Sequence, residues 1–215
     1  MKNILLAVTF SAFALPVLAD TTVNGKLSTL GLGAEVAFPV SSSVDARIGL
    51  NSYKYNFNNT TTSSGNSTDF RGDLKLQSLQ ALADWHPWSG SFRLSGGLMY
   101  NNNKFDMTAQ PVGGSVNIGG VPYAVSGSEY VNATVDFNKL VPYLGMGWGR
   151  TPRNTGLSFT SDIGVMFQGS PKGSVTTNIS GVAASDINQA NADLNDGLKN
   201  FKIYPVLSFG IGYTF

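Results

Sequence analysis

Over residues 201–215 every second side chain is large and apolar: Leu207, Phe209, Ile211, Tyr213 and Phe215 alternate with Val206, Ser208, Gly210, Gly212 and Thr214. Successive side chains of a strand point to opposite faces, so one face is broad and apolar and the other small and mostly polar. The alternation recurs upstream. Leu30, Leu32, Ala34, Val36 and Phe38 oppose Gly31, Gly33, Glu35 and Ala37, while Val44, Ala46, Ile48 and Leu50 oppose Asp45, Arg47, Gly49 and Asn51. Phe92, Leu94, Gly96, Leu98 and Tyr100 oppose Arg93, Ser95, Gly97 and Met99. Leu157, Phe159, Ile163, Val165 and Phe167 oppose Ser158, Thr160, Asp162, Gly164 and Met166. Pro-, Gly- and Ser-rich turns at 39–43, 86–90 and 151–155 separate these strands.

Two strands change parity part-way. Between residues 70 and 85, Leu74 and Leu76 share one parity and Leu79, Ala81, Ala83 and Trp85 the other. Either a bulge near Ser78 switches faces or Leu79 points inward. Asp73 and Lys75 are expected inward in both cases, Asp84 only with the bulge. Between residues 129 and 150, Val131, Ala133, Val135 and Phe137 are expected outward on odd numbers, Leu144, Met146 and Trp148 on even ones. A register break is therefore expected between Asn138 and Pro142, with Pro142 as its marker because proline cannot donate to a ladder.

Three long polar stretches, 56–69, 110–128 and 170–200, are expected to be loops. In the last, Ile187, Ala190, Leu194 and Leu198 fall at helical spacing behind Ser185 or Asp186 as cap, which predicts a short helix. Seven strands are clear. An eighth must come from residues 20–27, a poor strand with no good turn after it.

An apolar face on every strand suits contact with lipid, and tilted membrane strands need about 9–11 residues. Charged residues make up 13% of the chain, against roughly 25% in soluble domains. Strands that cross a bilayer must close into a barrel to satisfy their backbone hydrogen bonds. The fold class expected is all-β, an antiparallel up-and-down transmembrane β-barrel of eight strands with a short helix in the last long loop. Residues 1–19 read as a secretory signal peptide: basic Lys2, an apolar run, and Val17-Leu18-Ala19 before Asp20. Residues 20–215 then form one domain. Without Lys2 the 14 basic residues fall to 13, equal to the 13 acidic ones, so nothing in the charge points to nucleic acid. There are no cysteines, and neither metal nor cofactor is expected. Barrels of this kind have short periplasmic turns and long extracellular loops, which places the three long stretches outside.

The ending Ser208, Gly210, Tyr213 and Phe215 resembles the C-terminal signal of bacterial outer-membrane barrels, which implies a Gram-negative outer-membrane location, contact with its lipid, and recognition by the barrel-assembly machinery. Residues 83–88 (Ala-Asp-Trp-His-Pro-Trp), 141–145 (Val-Pro-Tyr-Leu-Gly), 164–171 and 204–207 (Tyr-Pro-Val-Leu) resemble a family of small proteobacterial outer-membrane barrels. More distantly, the layout is similar to OmpW-like proteins and to the ornithine-uptake porin CarO. The distant resemblances imply passage of small solutes, hydrophobic for the first and basic amino acids for the second. No substrate-binding residue carries over to this sequence.

Candidate chemistry is sparse. His86 is the single histidine, and its place between Trp85 and Trp88 in a short turn favours an interfacial girdle role over an esterase site. Glycine runs at 31–33 and 145–149 precede no helix and suit a crowded interior better than a phosphate. No enzymatic activity is expected. Parity places Glu35, Asp45, Asp73, Asp136 and Asp162 inside with Arg47, Arg71, Lys75 and Arg93, and charges in a narrow interior must pair across it. Three functions stay open: a narrow passive channel, a non-conducting structural or adhesive barrel, and a soluble lipocalin-type barrel, the last disfavoured by the charge-poor exterior. The resemblance favours the channel.

Overall fold

The computed structural model describes residues 20–63, 66–152 and 154–215; the signal peptide expected over 1–19 lies outside them. In chain order the elements are β1 (Thr22–Ser28), β2 (Gly31–Pro39), β3 (Val44–Ser63), β4 (Asn66–Trp85), β5 (Phe92–Asn101), β6 (Lys104–Pro111) and β7 (Gly114–Ile118). There follow β8 (Val121–Val125), β9 (Val131–Asp136), β10 (Leu140–Trp148), β11 (Gly156–Met166), β12 (Lys172–Thr177), α1 (Ala184–Leu198) and β13 (Tyr204–Thr214).

Eight of these strands pair antiparallel in a ring. β1 pairs β2, then β3, β4, β5, β10, β11 and β13 follow, and β13 returns to β1. The ring leaves no free edge within it, as a barrel requires. Its base carries Phe215 and the three short turns; the opposite end carries a head.

The poor first strand forms. Thr22, Asn24 and Lys26 are buried inside, and Val23 and Leu27 are exposed outside. Its turn is made by tertiary contacts that no local signal announces. Thr29 N–H donates to the Leu207 carbonyl at 3.0 Å, Thr29 Oγ1 to the Pro205 carbonyl at 3.0 Å, and Tyr204 Oη to the Thr29 carbonyl at 2.7 Å. Gly31, at φ +105°, supplies the left-handed step. Leu30, expected outward, folds over the interior instead and is 1% exposed.

Outside the ring the stretches expected as loops are largely ordered. β3 and β4 run 20 residues each, so most of 56–69 is hairpin rather than loop. Both its faces meet water, which removes the alternation, and Thr60–Asp69 and Thr62–Ser67 hydrogen bonds tie its strands together. β6, β9 and β12 continue from β4 into a wall on one side of the barrel. β7 and β8 form a separate hairpin. The predicted helix is present, but its N-cap is Ala183, with Ser185 and Asp186 inside the first turn. Tyr123 donates its phenol proton to Asp186 there.

Neither parity change is a register change. β3 and β4 pair without a bulge from Val44↔Trp85 to Ser63↔Asn66. Leu76 is 7% exposed on the inner face and Leu79 is 51% exposed on the outer. β9 and β10 are interrupted at 137–139, yet Lys104↔Asp136 and Tyr100↔Leu140 continue one register. Pro142 sits within β10 opposite Leu98, away from the interruption. Val135 is buried inside rather than outward. What changes is the surroundings: in the barrel the outer face is the apolar one, whereas in the head the inner face is covered by α1 and the hairpin. Ile118, Val125 and Ile179, with Val131, Ile187 and Ala190 against them, form this second core.

α1 also seals the free edge of β12. Val175 N–H donates to Asn191 Oδ1 at 2.6 Å, Gly173 N–H to Asn195 Oδ1 at 2.9 Å, and Asn195 Nδ2 donates to the Gly173 carbonyl at 2.8 Å. Covering an edge this way removes a template for unwanted pairing. Asn195→Ala deletes two of these bonds and is expected to cost about 1–3 kcal/mol locally. Hydrogen–deuterium exchange should accelerate in β12 and α1 while the ring strands keep their protection.

Candidate functional site: the filled barrel interior

The inner parity of seven ring strands converges on one cluster. Lys26 comes from β1, Glu35 from β2, Arg47 from β3, Gln80 and Asp84 from β4, Arg93 and Ser95 from β5, Asp162 from β11 and Ser208 from β13, all buried. β10 contributes room: a Cβ at Gly147 would lie 2.7 Å from Asp162 Oδ1 and 3.3 Å from Arg93 Nε.

Arg47 is the hub. Its Nη1 donates to Glu35 at 3.4 Å and to Asp162 Oδ2 at 3.2 Å; its Nη2 donates to Asp84 Oδ1 at 2.9 Å and to Ser95 Oγ at 3.1 Å. Nε lies against Asp84 Oδ2. Arg93 Nη2 donates to Asp162 Oδ1 at 2.7 Å, and Arg93 Nη1 to the Gly149 carbonyl at 2.7 Å. Lys26 Nζ lies 3.0 Å from Glu35 Oε2, which also accepts from Gln80 Nε2 at 2.5 Å. Ser208 Oγ donates to Asp162 Oδ2 at 3.0 Å and Ser95 Oγ to Asp84 Oδ1 at 2.6 Å. Three cations thus face three carboxylates, and all six carboxylate oxygens are engaged. Buried charge is tolerated when paired and hydrogen-bonded this completely.

Toward the head a second, apolar layer closes the interior: Leu30, Leu82, Met99, Val141, Tyr143, Met166 and Val206, with Tyr204 against them. Tyr143 lies over Gly145 and Gly164, where its Oη leaves no space for a Cβ. Toward the base His86 is a plug. It continues the inner parity of β4 past Asp84 and is 1% exposed. Its Nε2 lies 3.1 Å from Asp45 Oδ2, and Nδ1 lies 3.1 Å from the Gly90 and Phe92 carbonyls. Among the described residues no serine hydroxyl bonds either nitrogen, and the girdle position expected for it is taken by Trp85 and Trp88, which are exposed. Arg150 ties the turns together by donating to the Ser42 and Ser89 carbonyls. Beside Arg47, Arg93 and Arg150 lies a cavity of about 10 Å³, bordered by Asn24 and Ser158. Asn24 Oδ1 and Ser158 Oγ have no protein partner, and a void this small holds a single water.

Five of the nine interior charges expected from sequence are inside: Glu35, Asp45, Arg47, Arg93 and Asp162. Arg71, Asp73, Lys75 and Asp136 are not; they lie on the outer face of the head, exposed. Their placement inside rested on Leu74, Leu76 and Val135 facing lipid, and these line an apolar pocket on the inner face with Leu198 and Phe201. Lys26 and His86 were missed, and Asp84, expected inside only with a bulge, is inside without one. Continuing the β4 alternation unbroken from Gln80 would have found the last two; Lys26 sits on the strand with the weakest pattern. Of the C-terminal signal residues, Ser208 and Gly210 face inward, while Tyr213 and Phe215 are exposed with rings 5.3 Å apart.

No protein-family model matches the chain, and no curated protein sequence matches it. Solved structures do. Acinetobacter baumannii CarO2 superposes with a TM-score of 0.58 at 20% identity, covering 91% of this chain and 98% of that one. A. baumannii CarO gives 0.58 at 17% identity, covering 92% and 98%. The fold resembles that of CarO. The likeness to CarO spans ring and head together, and at this identity it speaks for architecture.

Truncating the hub tests the energetics. Arg47→Ala removes the one cation that three carboxylates share and leaves them Lys26 and Arg93 only; breaking a buried ionic network by one partner costs roughly 3–5 kcal/mol. The urea midpoint of the refolded barrel is expected to fall accordingly, and Arg47→Lys, which keeps the charge but not the fork, should fall between the two.

Proposed function

We propose that the protein is an integral β-barrel of the Gram-negative outer membrane whose interior is closed, and that the barrel anchors a head exposed outside the cell. The filled interior carries this reading: a buried ion network with an apolar layer above it and a histidine plug below it, the cavity beside the arginines measuring only about 10 Å³. An eight-stranded barrel is just wide enough for its side chains to fill it. The membrane location draws on the exposed apolar belt, with Leu50, Leu98, Leu144, Phe159 and Phe209 each at least 50% exposed. Aromatic Trp85, Trp88, Trp148, Tyr213 and Phe215 are exposed toward the base, as at a membrane interface. We assign no catalytic step to it.

The second reading, a narrow passive channel, draws on the likeness to CarO and on the inward glycines Gly97, Gly147 and Gly210. Those glycines are occupied by neighbours: a Cβ at Gly97 would meet Leu82 Cδ2 at 3.0 Å and one at Gly210 would meet Thr160 Oγ1 at 2.6 Å. Planar-bilayer recording of the refolded protein separates the two. No stable conductance is expected from the wild type, and cation-preferring leakage from Arg47→Ala, whose remaining carboxylates attract water and cations. A steady open pore in the wild type would establish the channel instead.

The membrane reading has its own test. Deleting Phe215 is expected to lower the fraction of protein that co-sediments with outer membranes and shows heat-modifiable gel mobility. Assembly equal to wild type would remove Phe215 from any targeting role.

A further inference from the structure

The outer face of the head carries a row of lysines at one height. Lys54 of β3 pairs with Lys75 of β4, Lys75 with Lys104 of β6, Lys104 with Asp136 of β9, and Asp136 with Lys172 of β12. All five positions share the face of the apolar belt. Its top row is Leu50, Leu79, Tyr100 and Leu140, themselves directly paired across the same strands. The charged row stands four residues farther out, Leu50 to Lys54 within β3 and Leu79 to Lys75 within β4, and Tyr100 to Lys104 and Leu140 to Asp136 across the breaks between β5 and β6 and between β9 and β10. At about 3.3 Å per residue that is roughly 13 Å along the strand, and a tilt of about 40° leaves roughly 10 Å in height.

Like charges directly opposite on neighbouring strands destabilise a sheet. Three adjacent strands nevertheless present lysine to lysine. Compensation within the chain is partial. Lys104 Nζ lies 3.0 Å from Asp106 Oδ1, and Asp106 also accepts from Thr134. Asp73, two residues farther out, is held by Asn56. Lys54, Lys75 and Lys172 make no ion pair among the described residues and are exposed. Lys139, beside the top of the belt, adds another exposed cation, donating to Asn102 Oδ1 at 2.9 Å.

We propose that this row binds the phosphate groups of lipid headgroups in the outer leaflet. The inference rests on the membrane reading above and deepens it. The headgroup zone is about 5–8 Å deep on each side of the hydrocarbon core, so lysine stems that reach down from a row about 10 Å above the rim of the belt place their ammonium groups among the headgroup phosphates. Phosphates bridging neighbouring ammonium groups remove the repulsion between them. The row spans the tall wall of the head only, so phosphorylated lipid collects on that side of the barrel.

The test uses the refolded full chain in detergent micelles titrated with a diphosphorylated lipid A glycolipid, with its dephosphorylated form, and with inorganic phosphate. Wild type is expected to prefer the diphosphorylated lipid by about 10-fold or more at low salt, with the preference shrinking as salt rises. The triple variant K54Q/K75Q/K172Q should lose most of that preference, and K199Q, in the exposed pair with Asp196 beyond α1, should keep it. Equal binding of the two lipids, an unchanged triple variant, or displacement by equimolar inorganic phosphate would overturn the proposal. Heat-modifiable mobility in the same samples separates the two levels. A wild type that folds but shows no phosphate preference sinks the lysine row alone, whereas one that never adopts the heat-modifiable form sinks the membrane reading and the row with it.

Discussion

A guanidinium taken out of water has to be answered by charge on every side, and Arg47 is answered by Glu35, Asp84 and Asp162 from three different strands. Those three strands, with β1 and β5 brought in through Lys26 and Arg93, are most of the ring. The network therefore does what a hydrophobic core does in a water-soluble domain. Its apolar side chains are exposed on the outer face, so on the membrane reading proposed above association of the strands gains little from removing them from water, and polar closure inside takes over. Directional bonds also fix geometry. Arg47 reaches all its partners only in one stagger of the ring, so the interior chemistry and the strand register specify one another.

The ring was legible from sequence because lipid and a crowded interior impose opposite demands on alternate residues. Leu207, Phe209 and Ile211 against Ser208, Gly210 and Gly212 admit one orientation. The head misled for the same reason. Beyond the ring the inner face is covered by α1 and the outer is exposed, so Leu74, Leu76 and Val135 imitate a slip in register that the pairing does not contain. Arg71, Asp73, Lys75 and Asp136 were carried to the wrong face by that imitation. Alternation reports which face is apolar; it does not report which face is inside unless the surroundings are known.

Other misses were tertiary in origin. The turn after β1 has no glycine–asparagine signal and is shaped by hydrogen bonds from β13, 175 and more residues away in sequence. His86 looked like one of a run of interfacial aromatics, yet its backbone N–H donates to the Ser43 carbonyl at 2.8 Å and extends the β3–β4 ladder one more inward step. In each case the local residues were compatible with the outcome without selecting it.

β3 and β4 pass from the barrel into the head without a hinge, pairing along all 20 residues of each. At about 3.3 Å per residue each is a continuous rod of roughly 65 Å. A pull on the outer tip would load the pairings of β3 with β2 and of β4 with β5 lengthwise, so their hydrogen bonds would share the force in shear instead of opening one after another. A load applied to the head would therefore pass along two unbroken strands straight into the barrel.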